Sequence, residues 1–582
     1  MTEIITDVLD EDGQLKPGFS GIGRLRGKTD YTKDEETVLG YFFTNTHSNV
    51  YCATDSMPNE LWALLMGQYA RSNFTARDRL LKLFEDMHEK KDSVSVAQLA
   101  EMIQSGNDIS AMLDGHLKKA GKFIEIWGVK YGHASLRDSG TIRICFEGVS
   151  QRATKFLEKA REGAYQEQST RALPYRMENL GIPYEIQGTE YESVVLDLNK
   201  KLIDIYERIY GDLLVHLKKK FAHLRIEADE KIFEETGKDD VKLTDREWDG
   251  IIAAKAFDVA RYLLPQNMTT SLGITLNTRR FQDMLTEWQS CHLMELQVLG
   301  KVAQVESLKI SPSLMKYGSR SEYHASIPSA LRALNKKFVE GHSTGAGFEY
   351  KHYEEVSKLV HAPDDLQELV LASVLFNGSD GSRSVEELKE IVKEMSYDEK
   401  REIAESATAG KQPFEIFSKA MECGAVVFER LYDIGAYRDL QRQRGDRQQI
   451  NRYSVIGYNM PKEVAEIGHD KEFVELMGEV KKVYDLFIKE GMHGAAEYVP
   501  VMANVLRHVV TKDVVQCFYE AKLRAQPAGI DSYRWIAQQE IKQLLEMMPV
   551  FKGLVPYDDK YYDLGRLHET MNMKIRKHKK SA

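Results

Sequence analysis

One order of elements is spelled out twice along this chain, and a chain that repeats itself has to bury the same faces twice. Near the start, Val50-Tyr51-Cys52-Ala53-Thr54-Asp55-Ser56-Met57-Pro58-Asn59-Glu60-Leu61 leads into an apolar-periodic stretch, and Lys358-Leu359-Val360-His361-Ala362-Pro363-Asp364-Asp365-Leu366 does the same later. Both predict a short strand, a polar turn and a helix start carrying acidic residues, as the helix dipole favours. Thr141-Ile142-Arg143-Ile144-Cys145-Phe146 alternates as a half-buried strand and precedes a helical stretch over 150–159. Its counterpart is Ala425-Val426-Val427-Phe428 before 431–443. Long amphipathic helices follow, with Leu198, Leu202, Ile205, Ile209 and Leu213 on one face, and later Phe473, Leu476, Val480, Val483 and Phe487. Each precedes a helical segment with a marked proline, Leu264-Pro265 in the first half and Val499-Pro500 in the second.

This order predicts an N-terminal extension over 1–47, a first repeat over 48–310, a connector over 311–351 and a second repeat over 352–560. The basic end, 561–582, is expected to be a disordered solubilising tail, and the charged stretch 218–249, present only in the first half, a solvated insertion. The expected fold class is α+β, helix-rich, with a small mostly antiparallel sheet in each repeat.

Charge and cysteine usage narrow the function classes. With 79 Lys+Arg against 89 Asp+Glu the net charge is −10, which disfavours nucleic acid as a bulk-charge partner. No run of 18 apolar residues offers a membrane span. Five cysteines lie far apart without a Cys-x-x-Cys pair, so no disulfide framework or cysteine metal site is expected and a reducing cytoplasm fits best. The histidines lack metal-ligand spacing, so no metal is expected. The densest chemistry is Lys159-Ala160-Arg161-Glu162-Gly163-Ala164-Tyr165-Gln166-Glu167-Gln168-Ser169-Thr170-Arg171. Arginine forks suit phosphate, and in an extended loop Glu167, Ser169 and Arg171 fall on one side. Composition alone leaves two readings open, a strip for a phosphorylated ligand or an exposed helix end of mixed charge.

The stretch resembles the signature of the flavin-dependent thymidylate synthases, the ThyX family, Arg-His-Arg-x-x-Ser-x-Asn-Glu-x-Ser-x-Arg-Tyr. Lys159-Ala160-Arg161 stands in the Arg-His-Arg place, Gln166-Glu167 in the Asn-Glu place, and Ser169 and Arg171 match outright. His133-Ala134-Ser135 resembles the family's His-x-Ser element, Ala260-Arg261-Tyr262-Leu263-Leu264-Pro265-Gln266-Asn267-Met268-Thr269 its Ala-Arg…Leu-Pro…Thr segment, and Asn277-x-Arg279 its Asn-x-Arg. The second half resembles the family more faintly. Arg442-Gln443-Arg444 looks like the triplet and Asn451-Arg452-Tyr453 like the signature's end, with the segment between them two residues short. Leu523-Arg524 looks like the family's late Leu-Arg, whereas that position in the first half falls on or near Trp288.

What the resemblance implies is reductive methylation of dUMP to dTMP, with methylenetetrahydrofolate as carbon donor and FAD reduced by NADPH. Catalytic roles fall on Ser169, Glu167 and Arg171. Substrate contacts fall on Glu167, Ser169, Arg171, Arg261 and Arg524, with Ser169 as a positioning hydroxyl. Flavin contacts fall on His133, Ser135, Lys159, Arg161, Gln166, Asn277, Arg442 and Arg444. Family sites are assembled between subunits, so complementary losses in the two repeats imply a composite site, with two chains pairing as a homodimer that imitates a tetramer. A flavoprotein acting on another pyrimidine, for instance one in RNA, and a non-catalytic nucleotide-binding scaffold are the alternatives.

Overall fold

A computed structural model describes residues 30–46, 51–69, 75–89, 94–107, 109, 121, 134–168, 175–339, 356–412 and 415–581. Among the described residues, seven strands form two antiparallel sheets among long helices, the α+β class expected. They are β1 (Thr141–Ser150), β2 (Ala164–Glu167), β3 (Thr269–Asn277), β4 (Ser357–His361), β5 (Val426–Asp433), β6 (Arg447–Ile450) and β7 (Val505–Lys512). The first sheet has the order β1-β3-β2 and the second β4-β5-β7-β6.

Registers and caps repeat between the sheets. Ala164 faces Thr275 as Arg447 faces Thr511, and Glu167 faces Leu272 as Ile450 faces His508. Ser150 and Asp433 end their strands and cap the next helices, accepting from Ala153 N and Ala436 N, and Asn277 and Asp513 do likewise after β3 and β7. Gly148 marks one difference. It takes φ 64 at a bulge between Phe146 and Val149, whereas β5 runs against β7 without interruption. These registers align Ala164–Glu167 with Arg447–Ile450 at equal spacing from the caps Ser150 and Asp433, so up to Glu167 and Ile450 the second signature is not shortened; its end in the first half, with Ser169 and Arg171, lies outside the described residues.

The strand expected near residue 50 does not join the first sheet. Ala53 bridges Phe43 instead, and Asn59 takes the edge of β1, donating through Nδ2 to Thr141 O at 2.9 Å and accepting from Thr141 N at 3.0 Å. In the second half β4 holds that edge, pairing with β5.

The largest core is shared by the halves. Leu198, Leu202, Ile209 and Leu213 on the helix Glu190–Lys220 pack with Phe473, Leu476 and Val480 on the helix Asp470–Lys489. At the seam the two proline segments meet. Pro265 and Val501 form an antiparallel bridge, Gln266 N donates to Pro500 O at 3.0 Å, and Met502 N donates to Leu264 O at 3.0 Å. Proline offers no N–H, so each segment bonds through its neighbours.

Two expectations about the charged segments are corrected. The basic end is a helix, Gly565–Ser581, whose Leu567, Met571 and Ile575 recur every fourth residue and bury against the same core. The insertion is its dock. Ala228, Ile232 and Leu243 are buried there, and Lys574 pairs with Glu247 at 3.0 Å and donates to Lys242 O at 3.2 Å. The charges that suggest a solvated tail lie on the outer faces of an amphipathic pair. The connector also holds a helix, Glu322–Phe338, largely exposed.

Candidate functional site at the seam

Arg261 follows directly on the helix Asp245–Ala260 and is 2 % exposed, so its guanidinium lies inside the protein. Its Nε and Nη2 have no hydrogen-bond partner. What it faces comes from the second half. A methyl group placed on Gly435 would sit in ordinary contact, 3.7 Å from Arg261 Nη2, and more tightly, 3.1 Å, from Asp433 Oδ1, so Gly435 lies directly beside the guanidinium. Burial raises Asp433, against donors from Ala436 N and Asn459 and the charge of Arg261. Asp439 lies in the same field. Burial opposes its ionisation, but the charges of Arg442, Arg261, Arg524 and Arg438 together lower its pKa.

Arg524 comes to Asp439 from the end of the helix Val514–Arg524, donating through Nη2 to its backbone carbonyl at 2.7 Å. With the Gln443 amide oxygen turned toward it, Arg524 also donates through Nη2 at 2.9 Å and Nε at 2.8 Å. Arg442 pairs with Asp439 at 2.5 Å. Two arginines that the sequence nominates for phosphate, Arg261 and Arg524, therefore act by charge on one carboxyl, Asp439, from opposite halves of the chain, while the ion pair to it is made by Arg442.

Glu167 ends β2 and crosses the seam. It accepts from Gln151 Nε2 at 2.7 Å, Lys155 Nζ at 3.2 Å and Arg438 Nη2 at 2.7 Å. Burial works against its charge, but Lys155 and Arg438 outweigh it and hold the carboxyl well below the ordinary range. Gln441 Nε2 completes the contact, donating to Lys155 O at 2.6 Å. Glu167 thus holds Arg438, next to Asp439, in place.

The other nominated residues are placed as follows. Arg161 donates through Nε to Lys159 O at 3.0 Å and through its terminal nitrogens to the carbonyls of Glu158 and, across the seam, Gln441. Arg444 answers from the second half, reaching Gly163 O at 3.5 Å. Lys159 is more than half exposed and pairs with Glu287 at 3.0 Å. Gln166 is exposed on β2. Asn277 is not part of the seam cluster: its Oδ1 accepts from Arg280 N at 2.8 Å as a helix cap. Ser135 lies in the short 3-10 helix Ala134–Ser139. His133, Ser169 and Arg171 lie outside the described residues. Sequence reasoning missed Gln151, Arg438, Asp439 and Gln443; laying the caps Ser150 and Asp433 on one another would have drawn out Arg438, which falls at the place of Lys155.

Beside the seam a cavity of about 650 Å³ is lined by Tyr262, Lys255, Trp535 and Tyr561 among others, and by none of the nominated residues. Tyr262 Oη lies 3.4 Å from Ser532 Oγ in its wall. Among the described residues no helix is long and apolar enough to cross a membrane.

Fold and seam together define a two-repeat α+β protein in which arginine charges from both repeats act on the half-buried Asp439 carboxyl. Residues 82–293 match the family model described as thymidylate synthase complementing protein, so the resemblance to the ThyX family is shown across that stretch. Relatives match nearly end to end. A UPF0159 protein of Chlamydia pneumoniae is 28 % identical over 94 % of this chain and 99 % of its own, and one of Chlamydia muridarum 27 % identical over 94 % and 100 %. A UPF0159 protein of Thermoplasma acidophilum is 24 % identical over 80 % of this chain and 94 % of its own. A solved structure, a UMP/dUMP methylase from Streptomyces cacaoi with bound 5-Br dUMP, is 12 % identical with a TM-score of 0.27, covering 34 % of this chain and 93 % of that one. That likeness is too slight to carry an argument.

Proposed function

We infer that the chain binds a pyrimidine nucleoside monophosphate, dUMP in the first instance, at the seam and methylates its C5 reductively to give dTMP. The observation that carries this reading is Arg261, a buried guanidinium with two unpartnered nitrogens, set in one field with Arg524 and Arg442. A buried donor without a partner costs about 1–3 kcal/mol, and a phosphate accepting from Nε and Nη2 offsets that cost with charge-assisted bonds. Arg524 and Arg442 add charge from the second half, and Asp439 holds them in register. Glu167 stays ionised and fixes Arg438. By the resemblance, Arg171 adds a further phosphate contact and Ser169 a positioning hydroxyl; an unassisted serine is a poor nucleophile and is given no covalent role.

The donor set also bears on the flavin. Arg444 reaches across where the halves touch, with Lys159 and Arg442 more exposed nearby, a cationic group that fits an anionic diphosphate, whereas Arg161 has its Nε and both terminal nitrogens donating to backbone carbonyls. Asn277 fits less well, since its side-chain oxygen is committed to a cap. When bound, FAD reduced by NADPH supplies the reducing equivalents, with methylenetetrahydrofolate as carbon donor. Two chains pairing as a homodimer would give the four repeats of a pseudo-tetramer, and the mass in solution checks this.

The test is the visible absorption spectrum of the purified protein before and after dUMP, alongside rescue of a thymidine-requiring bacterial strain. The expected result is flavin absorption that shifts on adding dUMP, and rescue. Flavin absorption indifferent to dUMP redirects the reading to another pyrimidine. A folded, colourless protein that fails to rescue overturns it.

A further inference from the structure

The registers and caps that align the two sheets also align the segments leading into β3 and β7. Stepping back equally far from Thr269 and Val505 reaches Arg261 in one half and Glu497 in the other, a reversal of charge at the same place. Stepping forward equally far from the caps Ser150 and Asp433 reaches Arg152 and Gly435. The seam therefore holds two related positions, one built on Arg261 with Gly435 and one on Glu497 with Arg152.

The second position is filled by the protein itself. Arg152 donates to Glu497 Oε2 through Nε at 2.9 Å and Nη2 at 2.5 Å, with both side chains almost fully buried. His292 Nε2 lies 2.5 Å from Glu497 Oε1, and Arg452 Nε 3.6 Å from the same oxygen. The Arg152 guanidinium lies over the ring of Tyr453 at 4.0 Å and that of Phe156 at 4.6 Å. The residues that serve Arg261 are replaced as well. Counting equally from the caps, Trp288 stands at the place of Arg524 and Phe156 at that of Asp439, both in or against the apolar core of the first sheet.

We propose that each chain keeps a single phosphate site, at Arg261 and Arg524, and that the Glu497–Arg152 ion pair is a built-in plug closing the twin position to anions. The chemistry is direct. The Glu497 carboxylate takes the donors of Arg152 that would otherwise hold an anion, whereas Gly435 at the matching place brings no side chain to Arg261, whose Nε and Nη2 stay unpartnered although the Asp433 and Asp439 carboxyls lie in its field. Burial opposes the Glu497 charge, but Arg152 and His292 hold it down to about 2, so the plug stays charged at neutral pH. This inference rests on the reading of the seam as a phosphate site.

Calorimetric titration of the full-length protein with dUMP tests it by the number bound per chain. One equivalent is expected. Two equivalents overturn the plug while sparing the proposed function, and none from folded protein overturns both. The paired exchange Arg152→Gly with Glu497→Arg, which copies the Arg261–Gly435 arrangement, is expected to add a second, weaker equivalent. If that variant keeps the circular dichroism of the parent and still binds one, the ion pair is not what closes the position and the inference falls.

Discussion

Phe146 on β1 and Arg430 on β5 stand opposite Leu272 and His508, at the same place in two sheets that share register and caps. The first sheet buries hydrocarbon there, with Phe146, Leu272, Leu276, Met284 and Trp288 in one cluster. The second buries ions. Arg430 donates to Glu540 at 2.6 Å and Glu520 at 2.8 Å, Lys512 donates to Glu540 at 2.6 Å and also to Glu520, and Ser357 Oγ donates to Glu540 at 2.7 Å. Lys512 and Glu520 occupy the places of Leu276 and Met284. Burial and the charge of Arg430 push His508 well below its ordinary value, so it stays neutral beside Tyr432 at 2.7 Å. Two cations then face two carboxylates, with the buried Asp446 carboxyl beside them, raised to about 7 by burial and the charge of Glu520. One backbone plan accepts either interior, so what separates the halves is their side-chain chemistry rather than their fold.

The sharpest way to break this comparison is to unbalance the ions. Arg430→Met leaves Glu520 and Glu540 facing Lys512 alone, and is expected to cost about 3–5 kcal/mol, read as a fall in thermal unfolding midpoint; an unchanged midpoint would show the network contributes nothing. Next in size is the plug at the seam. Glu497 sits at about 2 when folded, against about 4.3 in an unfolded chain. A lowered carboxyl gives stability that is fully present above its unfolded value and is lost as pH falls through the folded one. About 3 kcal/mol should therefore vanish between roughly pH 5 and pH 2, and denaturant titrations of Glu497→Gln over that range should lack this part of the slope.

Removing all four ions together is expected to have a smaller effect of opposite sign. Arg430→Met, Lys512→Leu, Glu520→Met and Glu540→Leu bring the second interior closer to the first, and stability should hold or rise by about 1–4 kcal/mol. A large loss in the fourfold variant would mean that the second sheet needs its ions. The smallest effect belongs to the rim. Lys159→Ala removes a pair that is more than half exposed on the lysine side, and should shift stability by less than about 1 kcal/mol.

Much of the fold was written locally. The alternation at 141–146, the long helix faces and the paired prolines Pro265 and Pro500 each carry a period or a breaker that predicts its element. The N-cap role of Asn277 was equally local, and was obscured because the same residue fits a family motif. What stayed hidden depends on contacts across the seam: Glu167 and Arg438 are 271 residues apart in sequence, and no local pattern says that a glutamate closing one strand will be neutralised by an arginine on the other repeat's helix. The C-terminal helix was hidden differently. Its lysines dominate its composition, while Leu567, Met571 and Ile575 supply the buried stripe. In the candidate site, Arg261 and Arg524 were legible as types, and their common action on the charge of Asp439 was not.

The central claim is that these two arginines, one from each half, serve one anion. A double-mutant cycle on dUMP affinity addresses it directly, using Arg261→Met, Arg524→Met and the pair. Each single change should weaken binding by about tenfold to a hundredfold, and the double variant should lose less than the product of the two, because the arginines would share one ligand and both act on the charge of Asp439. Strictly independent losses, or wild-type affinity in either single variant, would contradict a composite site.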